Sequence, residues 1–124
     1  MKKISVSIPG GNGRMGKTLI GLIIENEKYN LVSSTCLPGE DEEGFDIGLL
    51  AGKTKISKKL TSDTSSLFRN SDVLIDFTVP KAAMLHAKKC YDNDMSIVIG
   101  TTGLDVSQEK ELLSLSQKIP IVYS

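Results

Sequence analysis

The sequence predicts a doubly wound α/β domain with a parallel sheet covered on both faces. Short β-branched or apolar runs alternate with helically spaced apolar residues along the whole chain, and alternation with short connections requires crossover helices between parallel strands. The runs Asp72 to Phe77 and Ser96 to Gly100 are strongly apolar, as strands buried on both faces are. The length of 124 residues suffices for one such domain and no second one, since a chain of this size buries roughly two thirds of its surface on folding.

The first strand is read from Lys3 to Ile8, where Ile4, Val6 and Ile8 alternate with serines before Pro9-Gly10-Gly11 turns the chain. A helix from about Gly13 to Asn26 follows. Met15, Leu19, Leu22, Ile23 and Asn26 fall at spacings of three and four and are expected to form its buried face. The second strand runs from Tyr29 to about Cys36. Residues 37–54 carry Pro38-Gly39, the acidic run Glu40 to Glu43, and Gly44, Gly48 and Gly52, a composition expected to give a long surface loop rather than a packed element. Lys55 to Leu60 is read as a short strand, and Thr61 or Ser62 as the cap of a short helix through about Arg69.

After the strand at Asp72 to Phe77, Pro80 suits the first turn of a helix reaching about Asp92. The strand Ser96 to Gly100, a helix from Asp105 to Lys118 and the start of a last strand at Ile121-Val122-Tyr123 complete the reading. The string stops inside that strand pattern, so residues 1–124 are expected to be a single domain truncated at its last strand.

Fifteen basic and fifteen acidic side chains leave no formal net charge, which argues against a nucleic-acid partner and for a small molecule or protein. Cys36 and Cys90 have neither a disulfide framework nor metal-ligand spacing, which points to a reducing compartment, with the cytoplasm the expected location. The apolar run Ile4 to Pro9 is too short for a signal-peptide core or a membrane span. No metal site and no membrane partner are expected.

The first strand-to-helix turn reads Gly10-Gly11-Asn12-Gly13-Arg14-Met15-Gly16. Glycines at 10, 13 and 16 make a variant of the dinucleotide fingerprint, in which small residues allow a tight turn, close approach of a pyrophosphate, and close packing of helix on strand. The helix N-terminus behind it offers free N–H groups to phosphate oxygens. No Gly-Lys-Ser/Thr ends the turn, so phosphoryl transfer is disfavoured. The acid expected at the end of the second strand, to hold the adenosine ribose, falls where Cys36 and Leu37 stand. Glu40 and Asp41 are read as a solvated loop face, while Arg14 at the helix start could reach a 2′-phosphate. The choice between NADH and NADPH stays open.

Asp76-Phe77-Thr78 and Gly100-Thr101-Thr102-Gly103 lie at strand ends, where open α/β sheets bind ligands. Thr101 and Thr102 would serve equally as a turn and helix cap. His86 shares a helix face with Ala82, Ala83 and Cys90 and is read as structural, and Cys90 as a small core residue.

Taken in order, Gly10-x-x-Gly13-Arg14-Met15-Gly16, Asp76-Phe77-Thr78-x-Pro80 and Val98-Ile99-Gly100-Thr101-Thr102-Gly103 resemble the dihydrodipicolinate reductase family over essentially the whole chain. The resemblance implies a Rossmann-like NAD(P)-binding domain whose cofactor contacts carry over to Gly10, Gly11, Asn12, Gly13, Arg14, Met15 and Gly16, to Phe77 and Thr78, to Gly100, Thr101 and Thr102, and to Ser124. It implies NADH or NADPH as cofactor and hydride transfer to 4-hydroxy-tetrahydrodipicolinate in lysine and diaminopimelate biosynthesis. It also implies a second, substrate-binding domain, absent from this chain, that carries the proton donor and builds a homotetramer. This piece is therefore expected to be a monomer, to hold no catalytic acid, and to be inactive alone. The alternatives are a non-catalytic NAD(P)-binding module, or the N-terminal domain of a homoserine- or aspartate-type dehydrogenase, with the Gly-Arg-Met-Gly and Gly-Thr-Thr-Gly strings favouring the reductase.

Overall fold

The computed structural model describes residues 2–123. Five strands, β1 (Ile4–Pro9), β2 (Tyr29–Thr35), β3 (Val73–Asp76), β4 (Ser96–Ile99) and β5 (Ile121–Tyr123), form one sheet in the order β2-β1-β3-β4-β5. Every pairing in it is parallel. The helices are α1 (Arg14–Ile24), the four-residue α2 (Ile47–Leu50), a 3₁₀ turn at Thr64–Phe68, α3 (Pro80–Asp92) and α4 (Val106–Leu115). This is the expected Rossmann-like α/β architecture. The strand order reverses between β1 and β3, which makes the carboxyl ends of those two strands the place for a ligand.

Side-chain alternation distributes the core to both faces of the sheet. On β3, Leu74 joins Ala83, Met84, Cys90 and Leu112 in the cluster beneath α3 and α4. Its neighbours Val73 and Ile75 pack the other way, onto the cluster of Val6, Ile8, Ile20, Ile23 and Ile47 around α1 and α2. Pairing of β1 with β2 steps between Val6 and Ser7, so that Val32 is skipped and Pro9 lies opposite Thr35. Both strand ends thereby arrive together beside the glycine turn.

Four local expectations are corrected. The buried face of α1 is Gly16, Ile20, Gly21 and Ile23, while Met15 and Leu22 are exposed and Asn26 with them. A Cβ at Gly16 would collide with the Gly10 carbonyl and come within 2.8 Å of Gly11 Cα. That contact, closed by the lack of a side chain, sets the rotation of the helix and turns Met15 outward. Residues 37–54 are not wholly surface loop, because Ile47 is completely buried in α2.

The segment 55–60 forms no strand. Its backbone is satisfied by the loop before α2, with Ile47 N–H donating to Lys58 O, Leu60 N–H to Phe45 O, and Gly44 N–H to Leu60 O. The Asp46 carboxylate takes further N–H groups from Ile56 and Lys58. Lastly, the cap of the 3₁₀ turn is Asp63, which accepts from Ser65 N–H, rather than Thr61 or Ser62.

Candidate functional site

The glycine turn divides its three roles among its residues as the fingerprint requires. Gly10 has φ +69°, a left-handed conformation natural to glycine. Gly16 lets α1 approach the turn, as described above. Gly13 is exposed, and a Cβ built on it would meet only the Gly10 carbonyl at 3.4 Å, so its bare face is open to an incoming group. Gly11 is buried against Ser34, and its N–H donates to Thr35 O at 3.0 Å, which ties the turn to β2.

Gly13 is the N-cap of α1, has no side chain to cap it, and no acid occupies the first turn. The leading N–H groups of the helix are therefore left for an outside acceptor. By contrast α4 is closed by a capping box between Asp105 and Gln108. The residues present thus fit a dinucleotide pyrophosphate: a bare approach face, uncapped donors and the positive end of a helix dipole.

A cavity of about 490 Å³ opens beside this turn, within the range of small-molecule sites. Gly10, Asn12 and Gly13 line one side, Thr35, Cys36, Leu37 and Glu40 another, and Thr78, Val79, Ala82 and His86 a third. Of the expected contact residues, Gly10, Asn12, Gly13 and Thr78 line it. Gly11 and Gly16 lie buried behind the turn, and Arg14 and Met15 are exposed on the first turn of α1. Ser124 lies outside the described residues.

The remaining expected residues form a second group at the ends of β3 and β4. Phe77 covers Gly100 so closely that a Cβ there would run into its ring. Thr101 is buried and its hydroxyl donates to Thr78 O at 2.6 Å. Thr102 is exposed. Thr101 thus holds the two strand-end loops together and leaves Phe77 and Thr102 at the surface.

Asp76 organises this group. Its side chain is fully buried, yet it accepts from Thr78 N–H at 2.8 Å, from the Thr78 hydroxyl, and meets His86 Nδ1 at 2.6 Å. A carboxylate without water needs such partners. His86, 15% exposed, is therefore not packed on the apolar face of α3 as its spacing implies; Ala83 and Cys90 turn into the core, while His86 pairs with Asp76 and faces the cavity. The position of Asp76 at the end of an apolar strand, ten residues before the lone histidine, is the available sequence signal, but only the fold shows that β3 and α3 bring the two together. Burial, with the charge of Asp76 adding to it, pushes the Cys90 thiol up to about 12, so Cys90 is an inert core thiol.

Glu40 also departs from its expected place. It is half-buried, and its carboxylate accepts from Asn12 Nδ2 at 2.7 Å and from Leu37 N–H at 3.1 Å. The turn at Pro38-Gly39, with Gly39 at φ +82°, sends the chain back toward the glycine loop. Asp41 remains exposed, as read. Among the described residues, no group of three His, Cys, Asp or Glu is arranged to hold a metal ion, and no helix is long and apolar enough to cross a membrane.

Comparison with known proteins agrees with this geometry. The family model described as "Dihydrodipicolinate reductase, N-terminus" matches residues 4–124. The chain is 38% identical over 119 residues to a 4-hydroxy-tetrahydrodipicolinate reductase of Acinetobacter baumannii strain AYE, spanning 96% of this chain and 43% of that protein. A protein of the same name from Burkholderia lata is 36% identical over 121 residues, covering 98% of this chain and 45% of its own. The structure of dipicolinate-bound dihydrodipicolinate reductase from Paenisporosarcina sp. TG-14 superposes with a TM-score of 0.76 at 26% identity, covering 99% of this chain and 47% of that one. The chain thus spans less than half the length of these relatives, and the part it spans is the one that carries the glycine turn, the β3 and β4 strand ends and the switch point between them. By fold, motif and sequence, it belongs to the dihydrodipicolinate reductase family, in the N-terminal part of that family's proteins.

Proposed function

We propose that residues 1–124 are the dinucleotide-binding domain of a 4-hydroxy-tetrahydrodipicolinate reductase of lysine and diaminopimelate biosynthesis, taking NADH or NADPH. The observation that carries this reading is the uncapped N-terminus of α1 behind the bare face of Gly13, in a chain that matches the reductase family along its length. Bound there, a reduced nicotinamide supplies the hydride.

The chain's own residues bind and orient. The N–H groups of the first turn of α1 take the pyrophosphate, and Gly10, Asn12 and Thr78 line the adenosine side. Phe77, Gly100, Thr101 and Thr102 form the platform at the opposite end, where the donor carbon must be held over a small-molecule substrate. Of the titratable groups lining the cavity, Glu40 is held by Asn12 and Leu37 N–H, His86 meets Asp76 through Nδ1, and the Cys36 thiol is pushed up by its burial and by neighbouring carboxylates. The part these residues take in the reaction is to position the donor. Two buried free cysteines suit a cytoplasmic enzyme.

Calorimetric titration of the folded chain with NADH and with NADPH tests the proposal. Saturable binding of at least one is expected; absence of heat and of any thermal shift with both at millimolar concentration rejects it.

A further inference from the structure

The carboxyl end of β2 is where doubly wound dinucleotide domains hold the adenosine ribose, and this chain has Cys36 and Leu37 there. Four positions after Cys36, Glu40 returns to the same place in space. It lines the cavity together with Thr35, Cys36 and Leu37 and with Gly10, Asn12 and Gly13 of the glycine turn. Its carboxylate is fixed by Asn12 Nδ2 on one oxygen and by Leu37 N–H on the other. A carboxylate has roughly four acceptor positions, so two remain, one on each oxygen. Two acceptors on a fixed carboxylate are what a vicinal diol requires.

We infer, resting on the dinucleotide reading above, that Glu40 replaces the missing strand-end acid, accepting both hydroxyls of the adenosine ribose and making the domain selective for NADH over NADPH. The surroundings disfavour a 2′-phosphate. No Lys or Arg is among the described residues lining the cavity. Arg14 is exposed and not part of its lining, and Lys17 and Lys53 line a separate groove along α1. His86 has Nδ1 bound to Asp76. Glu42 lies 3.4 Å from Asn12 Nδ2 and adds to the negative field. The Cys36 thiol registers that field: its pKa is raised by burial and, after that, by Glu43, Glu40 and Glu42. A phosphate with nearly two negative charges placed against Glu40 has repulsion to overcome and no guanidinium or ammonium to offset it.

The test is titration of the 124-residue chain with NADH and with NADPH at one fixed ionic strength, for the wild type, Glu40→Gln and Glu43→Gln. The wild type is expected to bind NADH at least about tenfold more tightly than NADPH. Glu40→Gln removes the charged acceptor at constant shape, weakening NADH by about tenfold and bringing the two cofactors within about threefold of each other, with an unchanged melting temperature. Glu43→Gln, which removes an equal charge bound to Ser62 and Gly39 outside the cavity lining, keeps the preference. If Glu40→Gln does not fold, Glu40→Asp serves: a shortened carboxylate loses NADH affinity while still disfavouring NADPH, and a reversal of preference counts against the assignment.

Equal affinities in the wild type, a preference for NADPH, or a Glu43→Gln effect as large as that of Glu40→Gln overturns the role of Glu40 and leaves the dinucleotide reading standing. Failure of the wild type to bind either cofactor removes both.

Discussion

Gly13 and Gly16 are three residues apart in the same turn, and their substitution should separate binding from folding. Gly13 has an ordinary extended backbone, φ −77° and ψ 167°, so Gly13→Ala should fold with stability within about 0.5 kcal/mol of the wild type. Its methyl group would stand on the approach face, and NADH affinity should fall about tenfold, equivalent to roughly 1.4 kcal/mol. Gly16→Ala drives a Cβ into the Gly10 carbonyl and should cost about 2 kcal/mol in urea unfolding. Equal stability of the two variants would show that the turn can relax around Gly16. At the end of β3, His86→Ala strips one partner from the buried Asp76 carboxylate and should cost about 2 kcal/mol, while Asp76→Asn with His86→Ala together should cost less than the two single changes added. The glycines were legible because their spacing names them, and Thr78 through its place at a strand end and the resemblance to the family. Glu40, Asp76 and His86 were not, because their roles come from partners 28 and 10 positions away.

Helices α1, α3 and α4 were readable because each carries a boundary signal: the glycine turn before α1, Pro80 at the start of α3, and the Asp105–Gln108 capping box of α4. The segment between β2 and β3 was not, since its order comes from backbone pairing between loops and from the Asp46 side chain rather than from a period. Asp46 caps α2 through Leu49 N–H and also accepts from Ile56 and Lys58, which holds Ile47 in the core and ties 55–60 to the start of α2 by a single antiparallel bridge at Lys59 instead of a strand of the sheet. Burial alone would raise the Asp46 pKa, but the backbone N–H groups of Leu49, Ile56, Ser57 and Lys58 outweigh it and keep the carboxyl below its ordinary value of 3.8. A lowered native pKa means that the unfolded chain binds the proton first as pH falls. The stabilisation from Asp46 is therefore complete above the ordinary carboxylate range and is lost as pH drops below 3.8 through the native value. Asp46→Ala should cost about 1 kcal/mol at neutral pH as an N-cap loss. The difference from wild type should shrink in acid, as read from urea midpoints between pH 7 and pH 3. A difference independent of pH would assign the effect to packing of α2 instead.

For the molecule as a whole, the proposed site draws on β1, β2, β3, β4, α1 and α3 together, so a ligand there binds only the folded chain. Unfolding in the presence of NADH should then shift with concentration, gaining about 2.7 kcal/mol at one hundred times the dissociation constant. A midpoint that does not move with NADH, while calorimetry reports binding, would mean that the ligand contacts one element alone. The sequence by itself determined the class of fold, the turn at Gly10 to Gly16 and the family, because alternating periods and glycine spacing are local properties that survive without coordinates. Only the tertiary structure decided which face of α1 is buried, that His86 pairs with Asp76, and that Glu40 comes back to the glycine turn. Each of these depends on a contact that the periodicity of a single element does not encode, where close backbone approach at Gly16 or the need to satisfy a carboxylate outweighs local pattern.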